Sequence, residues 1–366
     1  MPHVEIAGGG FAGLTAAIAI KNIGWSVRVH EAENELRAFG AGIYIWENGL
    51  RVLRAIGAYD DVMDGLHSAG VLESRFDGQP GVMQRFGEEM RSRMVTMTRQ
   101  HLYSAILKAA RRLDIEILTG SEAVGATVDG VLETAQGRKY PADLVIGADG
   151  VDSQVRKSLG IKVEREIYGD GISRLLVERT PEEVADPDWN HVIDFWTRTP
   201  GPRRILYTPC NDKELYLAFL APRTDAEGAE VPINKKAWSA SFPYLAHIIE
   251  RVKMPGRYDL YGSTRLETWS RGRVALVGDS AHAMPPTLGQ GAGLAMSNAL
   301  GLSVALARST SIEEALRVWE KTDRPMTDHT QNYASDLAKT RKLIDGHAWS
   351  DDALRAARHV PTGALP

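Results

Sequence analysis

Cysteine is nearly absent from the 366 residues: Cys210 is the only one, which excludes an intramolecular disulfide framework and a cysteine-based metal cluster. No run of about 18 uninterrupted apolar residues occurs, so no membrane-spanning helix is expected. Met1 leads straight into an apolar strand, without the basic segment and cleavage site of a signal peptide, and a cytoplasmic protein is expected. Charge of one sign is also scarce. The 43 Lys and Arg against 47 Asp and Glu leave a net charge of -4, and no Lys/Arg block stands out. Attraction to nucleic acid or an anionic membrane is therefore not expected, and a small-molecule partner is. Neither a repeat nor a low-complexity tract is visible.

What is present is enough apolar sequence, 43%, to bury a large core. The length fits two joined lobes better than one compact core. The opening reads as a strand over His3 to Ala7, a glycine turn over Gly8 to Gly13, a helix over Leu14 to Asn22 and a strand over Ser26 to His30, a βαβ half-unit. Helices are expected over Asn48 to Ile56 and Arg99 to Leu113, and a strand over Leu144 to Ile146. From Ile172 to Leu266 the character turns strand-like, with runs at His191 to Trp196, Arg204 to Tyr207 and Glu214 to Leu220. The apolar strand Val274 to Val277 then restores the first pattern, ahead of helices over Gly293 to Ala307 and over Ile312 to Thr340, the latter broken near Pro325. The expectation is an α/β fold: a discontinuous Rossmann-type lobe (1–170 and 267–340), an inserted sheet-based substrate lobe (171–266, with some contribution from about 68–98), and a C-terminal helix and tail (341–366).

Gly8-Gly9-Gly10-Phe11-Ala12-Gly13 matches G-x-G-x-x-G in its required context, after an apolar strand and at the start of an Ala-rich helix. Gly8 permits the tight turn, Gly10 lets a pyrophosphate approach the backbone, and Gly13 lets helix and strand pack closely. The helix start supplies N–H donors and partial positive charge for phosphate, and Glu31 ends the second strand where a carboxylate can accept ribose hydroxyls. FAD and NAD use the same device, so this motif leaves the cofactor open.

Two later signatures decide between them. Gly147-Ala148-Asp149-Gly150 with Ser153 and Arg156, followed by Gly278-Asp279-Ser280-Ala281-His282, resembles the paired motifs of the single-component FAD-dependent aromatic-ring hydroxylases of the p-hydroxybenzoate hydroxylase fold. Pro285 to Gly293 is similar to that family as well, as are Glu35-Leu36-Arg37 with Gly40 to Ile43, and Arg99. Within the family the likeness is closest to the hydroxypyridine-carboxylate oxygenases, through Leu36 to Tyr44, Asn48 to Leu53, Arg204 to Tyr207 with Pro209-Cys210-Asn211, and Glu214 to Leu217.

The resemblance implies that Asp279 contacts the FAD ribityl and pyrophosphate region and that Asp149 and Gly150 lie near FAD and the reduced nicotinamide. It further implies cofactor contacts for Gly8, Gly10, Phe11, Ala12, Gly13, Glu31, Arg37, Gly42, Ile43, Arg99, Val124, Pro285, Gly289, Gly291, Ala292 and Gly293. Bare backbone N–H groups of the Pro285 to Gly293 stretch, at a helix start, would face the flavin edge that gains negative charge on reduction. The implied chemistry is reduction of FAD by NADH or NADPH, O2 addition at flavin C4a, and oxygen transfer from the hydroperoxide to a small hydroxylated pyridine or benzenoid carboxylate, with ring opening in the pyridine relatives. A simple salicylate- or hydroxynicotinate-like hydroxylase is the nearer alternative; an NAD-dependent dehydrogenase or a non-catalytic nucleotide-binding protein is the farther one.

Arg204 and Tyr216 match substrate-pocket positions of the pyridine relatives, and on strands both could point into one cavity. Each also has a plainer reading, Arg204 as a surface residue beside Arg203 and Tyr216 as a sheet aromatic. Tyr44 stands between a flavin-facing and a core role. Where the relatives carry a tyrosine near Val71-Leu72-Glu73, this chain carries Leu72. His282 has neither a serine elbow nor a second spaced histidine and reads as structural, so no metal is expected. Trp46 and Trp196 read as packing. The chain is expected to be a monomer or small homo-oligomer.

Overall fold

Parallel strands buried on both faces carry continuous apolar runs, and the Val4, Ile6, Val27, Val29, Leu144, Val145 and Ile146 side chains are all buried in one core. Residues 1–36, 41–87, 89–90, 92–197, 201–340 and 349–365 are described in a computed structural model. Their central sheet has six strands in the order Ser270–Arg271, Val274–Leu276, Leu144–Gly147, His3–Ala7, Ser26–His30, Glu116–Leu118. All neighbours run parallel except the Ser270–Arg271 edge. The first strands and the strand at 274 thus share one sheet although about 240 residues of chain separate them. The Phe11–Asn22 helix packs on this sheet, and the Gly291–Arg308 helix packs against that helix.

A seven-stranded sheet has the order Tyr258–Leu266, Val163–Glu178, Glu214–Pro222, Arg203–Pro209, Val192–Thr197, Val71–Phe76, Gln79–Arg85. Residues of alternate parity take opposite faces. Ile193, Phe195, Ile205, Tyr207, Leu215, Leu217 and Phe219 face a second core closed by Trp238, Phe242, Leu245 and Ile248 of the short helices behind the sheet. The other parity, Asp194, Trp196, Arg204, Leu206 and Tyr216, lines cavities between the two sheets. Register fixes that face, since Trp196 stands opposite Arg204 and Thr208 opposite Tyr216. A three-stranded sheet of His67–Ser68, Met94–Thr98 and Gly42–Trp46 stands at the junction.

The expected break near Pro325 is corrected: one helix runs without interruption over Ile312–Lys339, with Pro325 inside it. Pro325 and Lys321, whose carbonyl loses its helical donor, both lie on the exposed side, where water can take the donor's place. Buried Ala315, Leu316 and Trp319 before the proline, and Thr327, Thr330, Gln331 and Ala334 after it, hold both halves against the rest of the molecule. The tail returns to the sheets through residues 349–365, including the short Arg355–Arg358 helix.

Candidate active site

The glycine turn is built as its spacing requires. Gly8 has φ +100°, and a Cβ there would strike the Ala148 carbonyl, while one on Gly13 would strike the Gly8 carbonyl. Gly10, by contrast, faces open space, with nothing within 4 Å of a built Cβ. The Glu31 carboxylate accepts from Gly9 N at 2.8 Å and Glu33 N at 3.0 Å, which leaves lone pairs for a ligand. No side chain caps the Phe11–Asn22 helix or the Gly291–Arg308 helix, so the N–H groups of both first turns remain for other partners.

Three cavities follow one another from this turn. The first, of about 600 Å³, is lined by Gly9, Gly10, Phe11, Glu31, Glu35 and Tyr103 and by Leu175, Met254 to Arg257 and Asp259. The second, a tunnel of about 390 Å³, shares Gly10, Phe11, Arg99 and Arg174 with the first. It continues past Ala12, Gly42, Ile43, Gly150, Asp279, Pro285, Gly291 and Ala292. The third, of about 440 Å³, shares Tyr44, Arg204, Leu206, Tyr261, Pro286 and Gly289 with the tunnel. An elongated dinucleotide fits such a run, which offers a carboxylate with spare lone pairs at one end, uncapped helix starts along it, and two guanidiniums midway.

Electrostatics along the tunnel are set by desolvation and by those guanidiniums. Burial pushes the Asp279 carboxyl upward, against Arg99 and Arg174, which act to keep it ionised. Burial lowers Arg99, whose guanidinium lies 5.2 Å over the Phe11 ring. Arg174 projects from the Val163–Glu178 strand and pairs with Asp259 at 3.3 Å. Burial raises the phenol of Tyr216, opposed by Arg174 and Arg99. Tyr44 is raised well above its ordinary value by burial, with its hydroxyl bonded to Thr208 Oγ1, so it stays a neutral phenol at neutral pH.

The two later motifs are stitched to each other. Arg156 is buried; its Nη1 donates to the Ser280 carbonyl at 2.7 Å and its Nη2 to the Val151 carbonyl at 2.8 Å. Ser280 Oγ donates to the Gly147 carbonyl at 2.6 Å. The Asp149 carboxylate is spent locally, accepting from Ser153 Oγ at 2.5 Å, Gln154 N at 2.8 Å and Val155 N at 3.1 Å. It caps the next helix while Gly150 reaches the tunnel wall. Gly293 packs against Asn48 rather than lining the tunnel, and Val124 is exposed on the Ala123–Thr127 strand, outside the three cavity walls. Arg37 lies outside the described residues.

Arg204 and Arg203 separate by parity. Arg203 is buried behind the sheet, bonded to Asp225 at 2.7 and 2.8 Å and to the Ala237 carbonyl at 2.9 Å. Arg204 faces the tunnel and the third cavity, bonded to Asp194 and 4.8 Å over the Trp196 ring. Burial works to lower Arg204, but Asp194 outweighs it and holds the guanidinium charged. Tyr216 lines the tunnel and not the third cavity, its ring against Gly42. Leu72 does line the third cavity. Trp46 packs in a core, whereas Trp196 is also a cavity wall. His282 is buried, lies tilted against Trp269 with ring centroids 5.2 Å apart and pairs with Asn298 Nδ2 at 2.9 Å; desolvation lowers it to about 4, so it is a neutral packing group at neutral pH. Among the described residues no cluster could hold a metal and no helix is long and apolar enough to cross a membrane. Sequence reading missed Arg174, Asp194, Tyr261 and Trp349; strand register and tertiary packing bring them to the cavities, and neither is carried by the residues around them.

A family model described as an FAD binding domain matches residues 2–319. The chain belongs to this FAD-binding family. Its members similar to this chain are monooxygenases. A putative 2-heptyl-3-hydroxy-4(1H)-quinolone synthase of Rhodococcus erythropolis is 39% identical over 99% of this chain and 97% of its own. A 2-heptyl-3-hydroxy-4(1H)-quinolone synthase of Mycobacteroides abscessus is 40% identical over 90% of this chain and 88% of its own. Among solved structures, the tetrameric form of 2-methyl-3-hydroxypyridine-5-carboxylic acid oxygenase is 46% identical, covers 100% of this chain and 98% of its own, and superposes with a TM-score of 0.95. The FAD-dependent monooxygenase described here accordingly uses FAD, NAD(P)H and O2.

Proposed function

We propose that this monooxygenase oxygenates the ring of a small nitrogen heteroaromatic, a hydroxypyridine or 4-quinolone, held in the 440 Å³ cavity, and that it works in the cytoplasm. The observation that carries the reading is the set of six residues common to tunnel and cavity: Tyr44, Arg204, Leu206, Tyr261, Pro286 and Gly289 line both, so a ring held in the cavity would face a cofactor ring held in the tunnel. The similar proteins named for quinolone and hydroxypyridine chemistry supply the ring class.

In this reading Gly8, Gly10, Phe11, Ala12, Gly13 and Glu31 hold the nucleotide half of FAD. Gly42, Ile43, Arg99, Gly150, Asp279, Pro285, Gly289, Gly291 and Ala292 line its ribityl and ring half. Bound FAD supplies the redox centre and the activation of O2 that no side chain here can provide. The chain's own residues position and protect. Free N–H groups at the Gly291 helix start, with the positive end of an 18-residue helix, stabilise negative charge at the ring's edge. Arg204 donates to a ring oxygen of the substrate, while Tyr44 and Tyr261 flank it. Walls of Leu72, Leu206, Leu337 and Trp349 keep water from the reacting face.

The test is a screen of the purified yellow protein against 4-quinolones, 3-hydroxypyridines and hydroxybenzoates for stimulated NAD(P)H consumption, with product mass read after reaction under 18O2. Incorporation of one labelled oxygen without ring loss marks hydroxylation; a product that has lost its ring marks ring opening. Arg204→Ala should weaken substrate binding at least tenfold and leave FAD affinity within about twofold, as loss of a charge-assisted bond predicts. A colourless protein that cannot be reconstituted with FAD, or NAD(P)H consumption indifferent to every ring tried, removes the reading.

A further inference from the structure

The 440 Å³ cavity has two unlike sets of walls. The set shared with the tunnel carries Tyr44, Arg204 and Tyr261. Of the walls not shared with the tunnel, Leu72, Leu337, Trp349 and Ala353 belong to apolar clusters that meet at Trp349, while Asp170, Asp194, Thr287 and Tyr333 add polar groups to the lining. Charge is also uneven. Among the described wall residues Asp170 and Asp194 are acidic, and Arg204 is the only base, already held by Asp194. A carboxylate brought in by substrate would compete with Asp194 for that guanidinium.

The apolar set depends on a part of the chain beyond the matched family domain, which stops at residue 319. Trp349 is fastened there from several directions. Its backbone exchanges two bonds with the Gln84 side chain, both 2.9 Å, and its ring meets Trp46 edge-on at 5.6 Å and Phe86 at 6.3 Å. The next residues are tied in turn: Asp352 accepts from the Tyr333 hydroxyl and its carbonyl contacts His329 Nε2 at 3.0 Å, and Gln290 Nε2 reaches the Ala353 carbonyl at 3.4 Å. Trp349 joins two otherwise separate apolar clusters, one around Trp46 and Leu72, the other around Leu288 and Ala334. Even so it remains only half-buried, and it presents part of its surface to the cavity.

We infer that the C-terminal tail, through Trp349, is the selectivity wall of this enzyme, and that the wall selects an uncharged heteroaromatic ring bearing an unbranched apolar substituent that lies along Leu72, Leu337 and Trp349. The inference rests on the ring-oxygenase reading above and adds to it the substituent, the charge state and the residue that limits chain length. The shared walls hold the ring against the cofactor; the apolar walls gain affinity with each methylene until Trp349 stops the chain.

The experiment uses the FAD-loaded full chain and a homologous series of 2-alkyl-4(1H)-quinolones from methyl to undecyl, with 2-methyl-3-hydroxypyridine-5-carboxylate as the anionic comparison. Dissociation constants come from perturbation of the oxidised flavin spectrum, and kcat/KM from NAD(P)H consumption. In the wild type, affinity should rise with chain length by about two- to fourfold per methylene and then fall, and the anionic ring should bind more weakly than the longer alkyl quinolones. Trp349→Ala should move the optimum to longer chains; Leu72→Phe should move it to shorter ones. Leu72→Phe keeps the tail intact, so it decides the matter if Trp349→Ala loosens the fold, and Trp349→Phe should restore most of the wild-type profile. Identical chain-length profiles in the wild type and Leu72→Phe, or tightest binding of the anionic ring, would overturn the inference while leaving a ring oxygenase in place. No flavin perturbation by any ring would remove the oxygenase reading itself.

Discussion

A methyl group added to Gly42 would lie 2.5 Å from three carbons of the Tyr216 side chain, so the glycine is where one sheet lets an aromatic of the other come into contact. Single positions in this site carry that kind of consequence because each wall is shared. Arg204 is the sharpest case. Its charge is held by Asp194, and the pair is a neutral unit toward anything in the cavity. Asp194→Asn leaves the guanidinium without its counterion but keeps a hydrogen-bonding partner of the same shape. Affinity for a ring carboxylate should then rise about tenfold, the scale of one charge-assisted bond, and affinity for the matching uncharged ring should fall or stay level. Titrating the oxidised enzyme with two ligands that differ only in the carboxylate reads this directly, and an unchanged ratio of their dissociation constants would show that Asp194 does not set the charge preference.

Among elements, those governed by local pattern were legible in the sequence, and those governed by distant partners were not. The strands expected at His3 to Ala7 and Ser26 to His30 have those bounds in the structure, because period, turn glycines and burial all point the same way. The parity that sends Arg203 backward and Arg204 into the cavity could not be chosen from two adjacent arginines; register with Trp196 and Leu220 chooses it. Nothing near Trp349 in sequence signals that it closes a cavity whose walls include residues as much as about 300 positions earlier. The expected break at Pro325 failed because packing on both sides outweighs one lost hydrogen bond. The same Ile312–Lys339 helix carries Asp323, which sits against Gly301 of the neighbouring helix and accepts from Thr362 Oγ1 at 2.8 Å. Burial pushes its carboxyl up to about 6. The folded state therefore keeps this proton where the unfolded chain, near 3.8, has already released it. The group favours folding below about pH 4, loses that contribution as pH rises to 6, and opposes folding at pH 7. Asp323→Asn should raise stability by about 3 kcal/mol at pH 7 and by much less at pH 4. Urea unfolding at the two pH values tests this, and an equal gain at both would mean that packing rather than ionisation explains the variant.

At the scale of the whole molecule, the two large sheets contribute opposite walls to the same run of cavities. Arg99 follows the Met94–Thr98 strand at the junction, Arg174 belongs to the seven-stranded sheet, and Asp279 follows the Val274–Leu276 strand of the six-stranded one. The three charges share one tunnel. A cofactor lying there touches both sheets at once, so its binding energy is stability for their arrangement and not only for the glycine turn. Stripping FAD should therefore loosen the junction. At free FAD a hundred times its dissociation constant, the stabilisation is about 2.7 kcal/mol, which for a chain of this length corresponds to a rise in Tm of about 3 °C. Arg174→Gln, distant in sequence from every glycine of the fingerprint, should reduce that rise, because the mutation removes a contact on the sheet that the nucleotide turn does not reach. Thermal unfolding of apo and FAD-saturated samples of the wild type and Arg174→Gln provides the measurement. A full FAD-dependent rise in Arg174→Gln would mean that the cofactor is held by the six-stranded sheet alone and that the second sheet contributes only to substrate.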